Sequence, residues 1–464
     1  MTPFRQTTRN IPRFSVPFVA LLALVAILLA TAVSARGRQP NEEYAARRQR
    51  LLALVDAPVV LFGYTGKENT LEFLRFQQEE NFYYLSGHNE EGAALVLVPA
   101  VPKGKNAAAA QEILFLPDKN PRAERWNGPR LAATDPDVEK LTGFQEVQPF
   151  SKLAAIVAQL AQAFPRLYTE LPSPGDIGYP HLQVWSDWLR KQAPVAQLED
   201  VTPKITSLRE IKSPGEIALI TRAVEVSVDA HLEAMRMMRP GLYEYQVAAR
   251  MQFVHADAGC TEEAYAPIVG TGFNSTVLHY DSLESKIADG DVIVLDVACA
   301  QDGYAADITR TLPANARFSP RQREIYEIVL GAQNAAIAAA KPGMLRVGKE
   351  APNSIMKIAY DYINSHGTDR EGQPLGRYFI HGLSHHIGLN VHDPGDSSRP
   401  LEPGMVITIE PGIYIPDEKL GVRIEDDLLV TETGVKLLSA RLPREPDEVE
   451  AVMAQGRAAR EKNR

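Results

Sequence analysis

The sequence predicts an α+β protein of two domains, the second built from two pseudo-symmetric halves. Three observations carry this reading. A chain of 464 residues exceeds what one hydrophobic core ordinarily fills. From Asn41 to about Pro203, helical stretches alternate with short apolar runs, Val59 to Gly63, Ala94 to Val98 and Glu112 to Leu116, the pattern of a mixed α/β unit. Beyond that, a unit of helix, basic-Pro-Gly turn, helix and strands occurs twice, around Arg239-Pro-Gly and Lys341-Pro-Gly. Pro-Gly pairs end many helices, so the repeat is a weak signal by itself. If the halves are related, their sheets pack into one curved platform and a site between them draws residues from both.

The boundary between the domains falls at Arg209-Glu-Ile-Lys-Ser-Pro-Gly-Glu-Ile217. There Ser213 can cap a helix, Pro214 suits its first turn and Glu216 completes a capping box. The expected spans are 42–204 for the first domain, 209–440 for the second and 441–464 for a charged tail. Helices are expected from Pro214 to about Met238, from about Tyr243 to Ala258 and from about Pro320 to Ala340. The aromatic and polar segment from Arg75 to Gly87 has no ligand spacing and reads as an edge strand or an interface.

Composition sets the class. With 45% hydrophobic and 23% charged residues the chain is a folded globular protein, and a net charge of -9 without a basic stripe excludes nucleic acid as a partner. Arg5, Arg9 and Arg13 precede the apolar stretch Phe14–Ala35, which ends in Ala-Val-Ser-Ala. That is the layout of an export signal spanning residues 1–35, cleaved near Ala35; the stretch is also long enough to serve as an uncleaved membrane anchor. Either way the following domains are expected outside the cytoplasm. Cys260 and Cys299 are the only cysteines, so no disulfide framework is possible; we read both as small buried apolar residues rather than as a bridge.

The chemistry begins at Asp291-Val-Ile-Val-Leu-Asp296-Val-Ala-Cys299, followed by a turn and Tyr304-Ala-Ala-Asp307-Ile-Thr-Arg-Thr-Leu312. If the turn centres between Gln301 and Asp302, Asp296 and Asp307 lie directly opposite one another on paired strands. Such partners have Cβ atoms about 4.5–5.5 Å apart, which suits two carboxylates gripping a pair of metals about 3.5–4 Å apart. Two facing aspartates within apolar strands repel unless a cation lies between them. A lone aspartate turned to solvent is the bland alternative.

The second half carries His381-Gly-Leu-Ser-His385-His386-Ile-Gly-Leu-Asn-Val-His392-Asp393. His381 and His385 have helical spacing, whereas Gly382 and Gly388 favour a loop or short strand, so periodicity does not choose among the imidazoles. An apolar strand then ends at Glu410, with Thr408 on the same face, and a further strand puts Arg423 and Glu425 on one face with Asp426 turned away. Arg423 is placed to orient a carboxylate, or else to form an ordinary surface salt bridge.

These residues, with Ile-Val-Gly-Thr-Gly at 268–272, Leu-His279-Tyr, Asp-Ile-Thr-Arg-Thr, Ile-Glu-Pro-Gly and Val-Arg-Ile-Glu-Asp-Asp, resemble in order and context the pita-bread metallopeptidase family M24, specifically its aminopeptidase P branch. The likeness spans about 42–200, similar to that branch's N-terminal creatinase/aminopeptidase P-type domain, and about 205–440, similar to its catalytic domain. It implies two divalent metal ions, manganese(II) in this branch, bound by Asp296, Asp307, His385, Glu410 and Glu425. Asp296 would hold one ion, Asp307 and Glu425 would bridge both, and His385 and Glu410 would complete the other shell; His386 gains no ligand role. Four carboxylates and an imidazole are a hard, oxygen-rich set that suits such ions better than a thiolate site would.

The resemblance further implies that Glu410 shuttles a proton, that His279 and His392 meet the substrate near its reacting carbonyl, that His381 lies near the residue after the scissile bond, and that Arg423 supports a ligand. The implied reaction releases the first residue of peptides with proline second. A prolidase confined to Xaa-Pro dipeptides is the near rival; a metal-free pita-bread binding module is the rival from another class, disfavoured because all five ligands are present. Peptides are thus the expected partners, the membrane only if residues 1–35 stay attached, and a homo-oligomer, dimer or tetramer, is an open expectation.

Overall fold

The computed structural model describes residues 38–68, 76–100, 108–173, 175 and 180–462. The expected export segment, 1–35, lies outside these residues. No helix among the described residues is long and apolar enough to cross a membrane.

The first domain is a mixed six-stranded sheet in the spatial order Glu146–Pro149, Gln111–Leu116, Ala94–Val98, Val59–Phe62, Arg166–Thr169, Gln197–Asp200. The strands at 59–62, 94–98 and 111–116 pair antiparallel, and the outer neighbours join parallel. Strand alternation sends Leu61, Leu95 and Leu114 to one face, where Leu51, Phe82, Tyr84 and Leu85 from helices Asn41–Leu52 and Glu80–Ser86 cover them. Val60, Phe62, Val96 and Phe115 face the other way, beneath Val157, Trp185 and Leu189 from helices Leu153–Ala163 and Pro180–Gln192. Both faces are buried, which is why these strands read as continuous apolar runs.

The segment taken from sequence as an edge strand is instead a helix, Glu80–Ser86. The Glu79 side chain accepts from the Asn81 and Phe82 N–H groups and so supplies the cap that starts it. The interface alternative fits better, because the Tyr84 hydroxyl donates to the Leu208 carbonyl in the connecting helix Thr202–Glu210.

Ser213 and Glu216 form the expected capping box, and the helix runs Pro214–Met237, followed by Glu244–Asp257. Three antiparallel strands complete the first half: Thr309–Pro313, Val292–Asp296 and Ile268–Thr271, in that spatial order. The second half repeats the plan with helices Pro320–Ala339 and Ile355–Ser365 and strands Val406–Ile409, Asp426–Val430 and Val435–Leu437. A hairpin, Gly412–Ile415 with Leu420–Arg423, is added to it. The halves are sewn together where Glu425 N–H donates to the Thr309 carbonyl at 3.1 Å and Arg423 N–H to the Thr311 hydroxyl at 3.0 Å. Residues 446–462 form a helix with Val449 and Met453 buried, and Gly456 lets it approach the backbone at Arg236.

Two sequence expectations are corrected. Cys260 and Cys299 are disulfide-bonded, not free. Strand pairing of Glu262–Glu263 with Cys299–Ala300 brings the two Cα atoms to 6.1 Å, within reach of a bridge. The hairpin register also differs: Ala300 pairs with Ala305 and Asp296 with Thr309, so Asp307 is not directly opposite Asp296 but diagonal to it. The turn is centred on Asp302 and Gly303, both with positive φ (53° and 89°). A two-residue turn of that kind matches the natural strand twist, and it shifts the pairing by two residues from the expected one.

Candidate metal centre

Asp296 closes the buried strand Val-Ile-Val-Leu-Asp, and Asp307 lies where the facing ladder is interrupted, its N–H donating to Asp427 Oδ2 at 2.9 Å. From the second half, Leu383 to Ile387 runs alongside strand Val406–Ile409: Thr408 N–H donates to the His385 carbonyl and Glu410 N–H to the Leu383 carbonyl. This settles the conformation that periodicity left open. The segment is extended, so His385 and His386 point oppositely.

His385 Nδ1 lies 3.0 Å from the His386 carbonyl, which fixes the proton there and leaves Nε2 bare in the neutral ring. That Nε2 lies 3.3 Å from Asp307, 3.4 Å from Glu410 and 3.9 Å from Glu425. Ligand atoms of Asp307, His385 and Glu425 lie within 4.8 Å of one another. Asp296 is beside them, its Oδ2 held by Arg423 Nη2 at 2.7 Å. Arg423, which could have been a surface ion pair, is buried. Asp426 does turn away, pairing with Arg310 on the far side at 2.7 Å.

The electrostatics are those of a buried anionic cluster. Burial, then repulsion from Asp307, raises the Asp296 carboxyl against the pull of Arg423. Burial, Asp307 and Glu410 push Glu425 well above the ordinary range, and burial takes Glu410 to about 7. Burial works against a charged His385, yet Asp307 and Glu410 raise it to about 9. Asp296 Oδ1 and Glu425 Oε1 are buried with no hydrogen-bond partner. Four carboxylates and one imidazole nitrogen converging in this way fit a divalent metal ion, which would discharge the repulsion and occupy the unpartnered oxygens.

His381 is half-buried at the rim, Nδ1 on the Gly382 carbonyl at 2.7 Å and Nε2 on the Tyr414 hydroxyl at 2.8 Å; desolvation and the Arg423 charge push it down to about 4, so it is neutral. His392 stacks edge-on against His385 with ring centroids 4.3 Å apart. His279 is exposed and close enough for its charge to lower both His381 and His392.

Several supporting residues escaped the sequence reading. Thr309 donates to Glu425 Oε2 at 2.7 Å, and the Tyr414 hydroxyl accepts from Arg423 Nη1 at 3.0 Å. Tyr265 is half-buried beside Asp296, and desolvation of its hydroxyl, with the charges of Asp296, Asp307 and Glu425, raises it well above the usual phenol range. Thr309 could have been found, since it shares a strand face with Asp307. Tyr265 and Tyr414 give no signal beyond being aromatic.

Known proteins resemble this chain over most of its length. Residues 218–432 match the model of metallopeptidase family M24, and residues 44–168 that of the aminopeptidase P N-terminal domain. The Xaa-Pro aminopeptidase of Escherichia coli K12 is 35% identical over 451 residues, covering 90% of this chain and 98% of that protein. The Xaa-Pro aminopeptidase of Haemophilus influenzae is 34% identical over 438 residues, covering 89% and 97%. The solved structure of E. coli aminopeptidase P with the inhibitor Pro-Leu superposes with a TM-score of 0.79 at 32% identity, over 91% of this chain and all of that one. With the two-domain fold, the converging acids and relatives matched nearly end to end, the chain belongs to metallopeptidase family M24.

Proposed function

We propose that this protein is a metal-dependent aminopeptidase that releases the N-terminal residue from peptides with proline in the second position. The observation that carries the reading is the convergence of Asp307, His385, Glu410 and Glu425, with Asp296 beside them, in a chain whose relatives carry the Xaa-Pro aminopeptidase name over nearly their full length. In this reading Asp296, Asp307, His385, Glu410 and Glu425 hold two divalent ions; the hard donor set suits manganese(II) or a similar ion, and manganese(II) is the one the family resemblance implies. When bound, the ions supply Lewis acidity and the acidification of water near neutral pH.

The chain's own residues supply the rest. Glu410 faces both His381 and His385 and is placed to carry a proton between the attacking water and the leaving amine. Neutral His381, with His279 and His392, lines the rim and orients the peptide around the reacting carbonyl. Arg423 fixes the aim of Asp296. Export is part of the same proposal: the basic and apolar leader at 1–35 and the Cys260–Cys299 bridge both suit an oxidising compartment.

The deciding experiment incubates the purified protein and manganese(II) with Xaa-Pro dipeptides and Xaa-Pro-Xaa tripeptides. Release of the first residue from the longer peptides is expected, and activity confined to dipeptides would overturn the aminopeptidase reading in favour of a prolidase. Asp296→Asn and Glu410→Gln are each expected to abolish turnover in a folded protein.

A further inference from the structure

Antiparallel strands ordinarily close their hydrogen-bonded pairs with two backbone bonds each. Between Asp296 and Asp307 that closure is incomplete. Val297 N–H donates to the Ile308 carbonyl at 3.3 Å and Ala306 N–H to the Cys299 carbonyl at 3.1 Å, but the reciprocal partners are taken elsewhere. Cys299 N–H donates to the Ser227 hydroxyl at 3.1 Å. His231 Nε2 lies 3.0 Å from the Val297 carbonyl and 3.1 Å from the Ile308 carbonyl.

Ser227 and His231 are one helical turn apart on Pro214–Met237, hence on one face, and both are fully buried. The Ser227 proton goes to the Ala223 carbonyl at 2.8 Å, leaving its oxygen free to accept. Both neighbours of His231 Nε2 are carbonyls, so that nitrogen carries the proton and shares it between them. Burial and the nearby Arg310 charge keep the ring neutral. A buried histidine that merely satisfies two carbonyls would be unremarked elsewhere. Here the two carbonyls belong to the residues that immediately follow the two acids, one on each strand.

We propose that Ser227 and His231 are positioning residues: driven from the helix into the split ladder, they hold its two edges and thereby set the aim of Asp296 and Asp307 toward the ions. This rests on the metal-binding reading above.

The test titrates manganese(II) into the chelator-treated protein by calorimetry, comparing wild type with His231→Phe, His231→Gln and Ser227→Ala. Phenylalanine keeps the ring but loses the donor, and the affinity is expected to fall at least about tenfold, as when hydrogen-bonding support of metal ligands is removed elsewhere. Glutamine can still donate to a carbonyl and is expected to stay within about threefold of wild type, while Ser227→Ala falls about threefold or more. Wild-type affinity in a folded His231→Phe protein, or equal weakening in the phenylalanine and glutamine variants, overturns the inference, because only packing would then be at stake. Should His231→Phe fail to fold, Ser227→Ala decides, and wild-type affinity there overturns it. Absence of manganese(II) uptake by the wild type would instead bring down the metal reading, and this inference with it.

Discussion

Arg423 holds Asp296 by an ion pair of 2.7 Å while its other terminal nitrogen donates to the Tyr414 hydroxyl at 3.0 Å. Tyr414 in turn meets His381 Nε2 at 2.8 Å. One guanidinium therefore aims both Asp296, an acid of the candidate metal centre, and, through Tyr414, His381 at its rim. Arg423→Met is expected to lower metal affinity or turnover by about 10–100-fold, the usual effect of removing support from a metal ligand. Arg423→Lys, which keeps the charge but not the fork, is expected to fall between that variant and wild type. Calorimetric manganese(II) titration with steady-state kinetics reads both, and an unaltered Arg423→Met enzyme would refute the assignment.

Arg209 ties the first domain to the loop that carries His392. Its guanidinium reaches Asn81 Oδ1 at 2.8 Å on one side, and Asn390 Oδ1 and Asp393 Oδ1, each at 2.6 Å, on the other. Asn390 and Asp393 flank His392. Asp393 keeps a second cation, Lys212 at 3.2 Å, so Arg209→Met is expected to cost about 3 kcal/mol, the low end for breaking a buried pair. Urea denaturation measures this. A loss in kcat at unchanged metal affinity is expected alongside it, from loosening of the His392 loop.

Glu170 makes stability depend on pH. Burial raises its carboxyl from 4.5 to about 7, beside the buried Glu79, and Asn81 Nδ2 donates to its Oε1 at 2.5 Å. The folded state thus retains a proton that the unfolded chain gives up nearer pH 4.5. The contribution is whole below that pH and is lost as pH rises through about 7. Glu170→Gln is expected to gain roughly 1–3 kcal/mol on wild type between about pH 4 and about pH 8, read from urea midpoints at both. Equal pH dependence in the two proteins would exclude a proton held at Glu170.

The bridge between Cys260 and Cys299 spans 39 residues, a stretch that contains both His279 and Asp296. Replacing both cysteines with alanine is expected to lower stability by about 3–4 kcal/mol, and dithiothreitol should lower the wild type's melting temperature in the same direction. Identical melting curves with and without reductant would show that the bridge does not form in solution.

Much of this was legible in the chain. The capping box at Ser213 and Glu216 and the strands around 59–62, 94–98 and 111–116 follow from local chemistry that tertiary packing does not contradict. Asp296 and Asp307 were found as a pair, but their register was not, because it depends on which two residues accept positive φ, and Asp302-Gly303 won. His385 could not be told from His381 by spacing, since its extended backbone is imposed by Val406–Ile409 some twenty residues later in the chain. The disulfide was missed for the same reason: pairing of Glu262–Glu263 with Cys299–Ala300 is a long-range contact that two isolated cysteines do not announce. His231 and Ser227 look like ordinary helix residues until the strands they touch are known.

The seam at Thr309 and Glu425 has a bearing on how such a protein can change. Thr309 gives its carbonyl to Glu425 N–H and its hydroxyl to the Glu425 carboxylate, so a residue of one half fixes an acid of the other by two separate bonds. A duplicated unit ordinarily frees one copy to drift while the other keeps working. Here the proposed donors are divided, Asp296 and Asp307 in one half and His385, Glu410 and Glu425 in the other, and a substitution at the edge of one half touches the other. A change at Thr309 therefore reaches Glu425 directly, although 116 residues of chain separate the two.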